Sequence, residues 1–274
     1  MKIVILSVND WANLGFTFSQ CLRAIGLDTK AFSTYVHPNY KKTAIQADTK
    51  EMRKEALRAD VIMFMHSKHI NLGINFGDKK VFVFHGGSKY RHNSDKINKV
   101  FNPIVDKTII QTSDLLGRGA KNERWLLPPV DTENIVPDYE RLSSDKIIVG
   151  HFPSSSLEKG TNIINEVMLN HLIYYKENFI YFYDHKKVSH EENLKRISLC
   201  DVYIEQIRWG EWGVTALEAA ALGKIVITNF KSINRYRQQY GNCQLMIADD
   251  AIELKNLMKD LLTWNRNYIH EKKH

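Results

Sequence analysis

Short β-branched apolar runs alternate with stretches of helical spacing along almost the whole chain, and that alternation restricts the fold more than any other feature. In the first half the strand-like runs are residues 2–8 (KIVILSV), 29–35, 60–65 (DVIMFM), 80–84 (KVFVF), 107–111 (KTIIQ) and 124–127 (RWLL). Helical patterns fall at 12–25 and 50–58. The second half repeats the rhythm, with strands at 146–150 (KIIVG), 179–183 (FIYFY), 201–205 (DVYIE), 224–228 (KIVIT) and 244–247 (QLMI). Helices are expected there at 160–172, 190–199, 214–222 and 252–264. Apolar runs without polar alternation suit strands buried on both faces, and helical connections suit parallel crossovers. Pro128, Pro129 and Pro137 interrupt the pattern midway. The expected fold is therefore α/β, with two Rossmann-like domains at 1–135 and 136–274. In such sheets ligands bind beyond the carboxyl ends of the strands, so the turns there are the places to look for chemistry.

Several classes are set aside by composition and by missing motifs. With 43% hydrophobic and 25% charged residues the chain is an ordinary globular one. Cys21, Cys200 and Cys243 lie far apart with no C-x-x-C pair, which argues against a disulfide scaffold and a cysteine zinc site. The apolar run at 3–6 is too short for a signal-peptide core, and no run approaches the roughly 20 residues of a membrane span. A cytoplasmic location is the expectation. No G-x-x-x-x-G-K-[ST], strand-linked G-x-G-x-x-G, G-x-S-x-G, H-E-x-x-H or D-x-D occurs, and His66 and His69 have no acidic neighbour in sequence. The net charge of +7 is concentrated around 41–42, 50–58 and 79–99. Such a surface draws polyanions, nucleic acid or anionic lipid headgroups, unless the charges only solvate a face.

The most informative segment is 201–228, DVYIEQIRWGEWGVTALEAAALGKIVIT. A strand ends near Glu205, a Gly-containing loop follows, and a small-residue helix starts at Gly213. Gly213 permits close approach of a ligand, and the amides of Val214, Thr215 and Ala216 form a helix N-terminus suited to phosphate. Glu218, in the second turn, is placed to accept from two vicinal hydroxyls. A second segment, HFPSSSLEKGT at 151–161, follows a strand and carries Ser154, Lys159 and Gly160. Read alone, its Ser and Thr residues equally suit a helix cap.

Together these segments resemble glycosyltransferase family 4, the "group 1" retaining transferases of GT-B fold. Trp212-Gly213, then Leu217-Glu218-Ala219-Ala220-Ala221-Leu222-Gly223-Lys224-Ile225-Val226, resembles the family's (F/Y)-G and L-E-A-hydrophobic-A-x-G-x-P-V pattern, with Ile225 in place of the usual proline. Lys159-Gly160 matches the lysine of the loop that clamps the donor diphosphate. In the first half, the loop containing Asn13 and Gly15, the strand ending at His66, the turn His85-Gly86-Gly87-Ser88-Lys89-Tyr90-Arg91 and residues 112–131 resemble the acceptor domain more loosely.

The resemblance implies a GT-B architecture with two parallel sheets facing across a cleft, the last helix packing back toward the first domain. It implies transfer from a nucleotide-diphosphate sugar, expected to be UDP-linked, with retention and without metal or cofactor. Donor contacts would come from Gly15, Ser154, Lys159, Gly160, Trp212, Gly213, Val214, Thr215 and Glu218. His85, Lys159, Arg208 and Glu211 are the candidates for the chemistry, and Asn13, His66, Lys89 and Arg91 for the acceptor side. The acceptor hydroxyl is expected on a lipid-linked glycan at a membrane surface or on a modified base in DNA. Two departures keep a non-catalytic, nucleotide- or polyanion-binding relative in play. Gly210 stands where the family often has a glutamate, with Glu211 displaced by one, and Ser156 stands near the expected arginine, for which Arg208 is the substitute.

Overall fold

In the computed structural model, which describes residues 1–137 and 146–263, the apolar runs become parallel strands and the amphipathic stretches become the helices between them. The chain divides into two compact units, Met1–Asp131 and Thr132–His274. The first holds β1 (Lys2–Asn9), α1 (Leu14–Ala24), β2 (Asp28–Tyr35), β3 (Ile45–Gln46), α2 (Thr49–Leu57), β4 (Val61–Phe64), β5 (Lys80–His85), α3 (Gly87–Phe101), β6 (Lys107–Ile110) and β7 (Glu123–Trp125). Its sheet runs β3-β2-β1-β4-β5-β6-β7 and is parallel throughout.

The second unit holds β8 (Ile147–His151), α4 (Ser156–Lys159), α5 (Thr161–Tyr175), β9 (Phe179–Tyr183), α6 (His190–Ser198) and β10 (Val202–Gln206). It continues with α7 (Val214–Ala221), β11 (Ile225–Thr228), α8 (Ile233–Tyr240), β12 (Met246–Ile247) and α9 (Ala251–Thr263). The sheet order is β12-β11-β10-β8-β9, again all parallel.

Burial explains the unbroken apolar runs. Every residue of β4, β10 and β11 is buried, because helices cover both faces of each sheet. One core gathers Val4, Leu6, Ile62, Phe64, Val81 and Val83 with Met52, Ile97 and Phe101 from the helices. The other gathers Val149, Val202, Ile204, Ile225 and Ile227 with Ile164 and Met168 of α5 and Leu254, Met258 and Leu261 of α9. Thus α9 packs on its own unit up to Thr263; the segment from Trp264 onward, expected to return to the first domain, lies outside the described residues. The edge strands β3, β7 and β12 are two or three residues long, whereas β9 has five.

Three local expectations are corrected. The first helix starts at Leu14 and not at Ala12, since Ala12 and Asn13 are left-handed (φ 53° and 54°). The Asp10 carboxylate takes the helix's first amides instead, accepting from Gly15 N at 2.7 Å and Phe16 N at 3.0 Å. The helices α3 and α8 were not anticipated.

Each sheet has one topological switch point, where successive strands depart in opposite directions. In the first unit it lies between β1 and β4, and in the second between β8 and β10. The crevice beyond the strand ends at such a point is where doubly wound sheets bind ligands.

Candidate functional site

At the second unit's switch point the segments after β8 and β10 meet. The short helix α4 ends at Gly160, whose left-handed conformation (φ 71°) turns the chain into α5. A Cβ at Gly160 would stand 3.2 Å from Ile207 Cγ1 and 3.3 Å from Arg208 Cβ, so the glycine lets the two loops touch. Gly160→Ala is therefore expected to destabilise the unit by about 1–3 kcal/mol through backbone strain, measurable as a lower urea midpoint. An unchanged midpoint would contradict the close approach.

The turn sets Lys159 beside the start of α7. A Cβ at Gly213 would lie 3.4 Å from Lys159 Nζ, so lysine and helix N-terminus converge on one point. Of the three amides expected to be open there, Ala216 N–H closes onto Gly213 O at 3.2 Å. Val214 and Thr215, both half-buried, carry the other first-turn amides, which have no partner within the helix. Lys159 is already paired, with the buried Glu205 carboxylate at the end of β10. Burial pulls the Lys159 ammonium down to about 8, which still leaves it charged at neutral pH.

Glu218 lies in the second turn of α7. It is 8% exposed, and its Oε1 lies 2.7 Å from His190 Nε2 at the start of α6. His151, at the end of β8, is fully buried between Ile204 O (2.8 Å from Nδ1) and Thr161 Oγ1 (2.9 Å from Nε2). Burial pushes it down to about 4, with Lys159 adding to the shift, so it is neutral and Nδ1 carries the proton donated to the carbonyl.

The other candidates of this unit sit as follows. Ser154 is exposed. Arg208 is also exposed, and its guanidinium donates to Leu157 O at 3.1 Å, holding α4. Glu211 is buried and accepts from Ser232 Oγ at 3.0 Å. Trp212 stacks on Phe230 at 4.0 Å and meets Tyr236 edge-on, so its ring is part of an aromatic cluster.

The first unit's switch point carries a separate cluster. His66, expected to lack an acidic partner, is brought by the fold to 3.4 Å from Asp10 Oδ1; residues distant in sequence become neighbours because β1 and β4 are adjacent. His66 and Ser67 are both left-handed (φ 56° and 58°), a strained pair of the kind found at functional turns. Asn13 donates to Lys42 O at 2.8 Å, and the Gly15 amide is taken by Asp10. His85 is fully buried, stacked on Tyr90 at 4.2 Å, with Nδ1 3.0 Å from Ser67 Oγ. Burial pushes it down to about 3. Lys89 is exposed, while Arg91 forms a two-pronged ion pair with Asp114 (2.7 and 3.2 Å). Among the described residues no group of three His, Cys, Asp or Glu side chains is arranged to hold a metal ion, and no helix is long and apolar enough to cross a membrane.

Glu205, Asp10 and His190 are not marked as site residues by any motif in the sequence. The one available signal was Glu205, the charge that closes the run DVYIE at its carboxyl end.

No family model matches the chain, and no curated protein matches it in sequence. Solved structures do match. Sucrose-phosphate synthase from Thermosynechococcus elongatus aligns with a TM-score of 0.61 at 14% identity, covering 100% of this chain and 92% of that one. Anabaena HepE, solved in complex with UDP-glucose, aligns at 0.67 and 11%, covering 100% and 93%. A putative UDP-N-acetylglucosamine 2-epimerase from Listeria monocytogenes aligns at 0.58 and 12%, covering 100% and 91%. At these identities the likeness is one of fold: two parallel-sheet units of the GT-B type.

Proposed function

We propose that the protein transfers a sugar from a nucleotide diphosphate, UDP by preference, to an acceptor hydroxyl. The observation that carries this reading is the convergence of Lys159 Nζ on the glycine that opens α7, 3.4 Å from a Cβ there, at a switch point. It is supported by a shared fold with HepE, a protein solved with UDP-glucose. Lys159 and the amides of Val214 and Thr215 would meet the diphosphate. Negative charge grows on that group as the glycosidic bond breaks, so donors fixed in advance favour the transition state over the ground state. Glu218, held by His190, would accept from the ribose hydroxyls. Retention follows the family resemblance, and no carboxylate is assigned as nucleophile. The exposed basic residues of the first unit, Lys41, Lys42 and Lys89 among them, suit an anionic acceptor. Salt-sensitive binding to random DNA, compared with binding to anionic vesicles, separates a DNA base from a lipid-linked glycan.

Calorimetric titration with UDP, followed by mass measurement of products from UDP-glucose, tests the reading. Saturable UDP binding and sugar release are expected, and absence of UDP binding at millimolar concentration would refute it. Glu218→Ala is expected to lower turnover at least ~10-fold, since a charged hydrogen bond contributes about 1.5–3 kcal/mol. Wild-type rates in that variant would remove the ribose assignment.

One observation favours a second reading, nucleotide binding without transfer. Gly210 has φ 76°, a left-handed backbone that strains any L side chain, so the glutamate often found at the position would sit here only at a conformational cost. Glu211 turns instead to Ser232. Tight UDP binding with no turnover on any donor or acceptor would decide for this alternative.

A further inference from the structure

The carboxylate of Glu205 is fully buried at the spot where the proposed donor's diphosphate would need a cation. Its placement is built into the sheet. The pairing register of β10 with β11 breaks between Ile204 and Gln206, leaving Glu205 as the irregular residue. Such an irregularity re-aims a side chain. Glu205 Oε1 pairs with Lys159 Nζ, and Oε2 accepts from Thr228 Oγ1 at 3.1 Å. A Cβ on Gly213 would lie 3.1 Å from Oε1, so this oxygen stands at the entrance of α7, beside the amides that suit phosphate.

Two anions thus have claims on one lysine. Arg208, the nearest alternative cation in sequence, directs its guanidinium to Leu157 O. With Glu205 in place the positive charge of Lys159 is balanced internally, and an arriving diphosphate meets a buried carboxylate at close range. Thr228 keeps that carboxylate where it is, so the lysine is the partner that can move.

We propose that Glu205 is an internal anion that competes with the donor's diphosphate for Lys159, setting nucleotide affinity and returning to the lysine when the product leaves. This rests on the nucleotide-sugar reading above and adds to it a residue that weakens binding. The arrangement keeps the empty site from holding small anions indiscriminately. It also speeds release of the nucleoside diphosphate, and product release is the step that limits turnover in many enzymes.

The test compares wild type with Glu205→Gln by calorimetry, using UDP and uridine as probes. The amide keeps the side chain's shape and its bond from Thr228 while removing the charge. UDP should bind the variant at least about 10-fold tighter, with uridine affinity unchanged within about twofold. UDP binding that is unchanged or weaker in the variant, with uridine still bound, overturns the proposal and leaves the nucleotide reading standing. If neither probe binds wild type or variant, both fall together. Should Glu205→Gln fail to fold, a crystal structure of the wild-type protein with UDP decides between the same two outcomes. Lys159 Nζ on a phosphate oxygen and away from Glu205 supports the exchange, and an intact Lys159–Glu205 pair beside bound UDP overturns it.

Discussion

Lys159→Met is expected to lower the second unit's stability by about 3 kcal/mol and sugar transfer by at least ~10-fold, two losses with different causes. The stability loss comes from Glu205. Removing one member of a buried ion pair strands the other charge, which costs about 3–5 kcal/mol. On the proposed function, the loss of turnover comes from the missing cation at the diphosphate. A second substitution separates them. Lys159→Met combined with Glu205→Gln removes the stranded charge, so urea unfolding followed by tryptophan fluorescence should recover most of the midpoint while transfer stays low. Recovery of both, or of neither, would show that the pair has a single role.

The second large effect is acid lability. His85 and His151 are buried and neutral, held near 3 and near 4, against an ordinary value of about 6.5 in the unfolded chain. Their contribution to stability is complete above about pH 6.5, because there both states bind the same protons. Below it the unfolded chain takes up protons that the native sites refuse, and stability falls until the folded values are reached. At about 1.4 kcal/mol per pH unit, His151 alone accounts for roughly 3 kcal/mol between pH 6.5 and 4. Each unit carries at least one such histidine, so both should weaken over this interval. Urea midpoints at pH 7 and 4.5 measure it; a His151→Gln variant should show a flatter profile, and a pH-independent wild type would contradict the buried neutral state.

The sequence revealed the strands better than the helices, for a physical reason. Runs such as VIMF and IVIT are buried on both faces, so nothing polar interrupts them and their limits are plain. By contrast α3 buries only Tyr90, Ile97, Asn98 and Phe101 among fifteen residues and bends at Asn93, and α8 buries none of its eight. Their periodicity is too thin to read. At the site, Lys159 and Gly213 were legible because glycine beside a strand end has few other uses. The partners were not. Glu205 reads as a solvated strand terminus until the sheet order sets β10 beside β8 and β11, and Asp10 meets His66 only because β1 and β4 are neighbours.

The edges of the two sheets have a bearing on handling the protein. With β3, β7 and β12 so short, among the described residues only β9 offers a backbone row long enough to template another chain. Its sequence, FIYFY, is aromatic and β-branched, and Phe182 and Tyr183 are exposed. Lys176 and Glu177 on one flank, with Asp184 and Lys186 on the other, act as gatekeepers through their hydration. Concentrated solutions should therefore tolerate low salt better than high salt, because ions screen the net charge of +7 that keeps one ribbon away from its own copies.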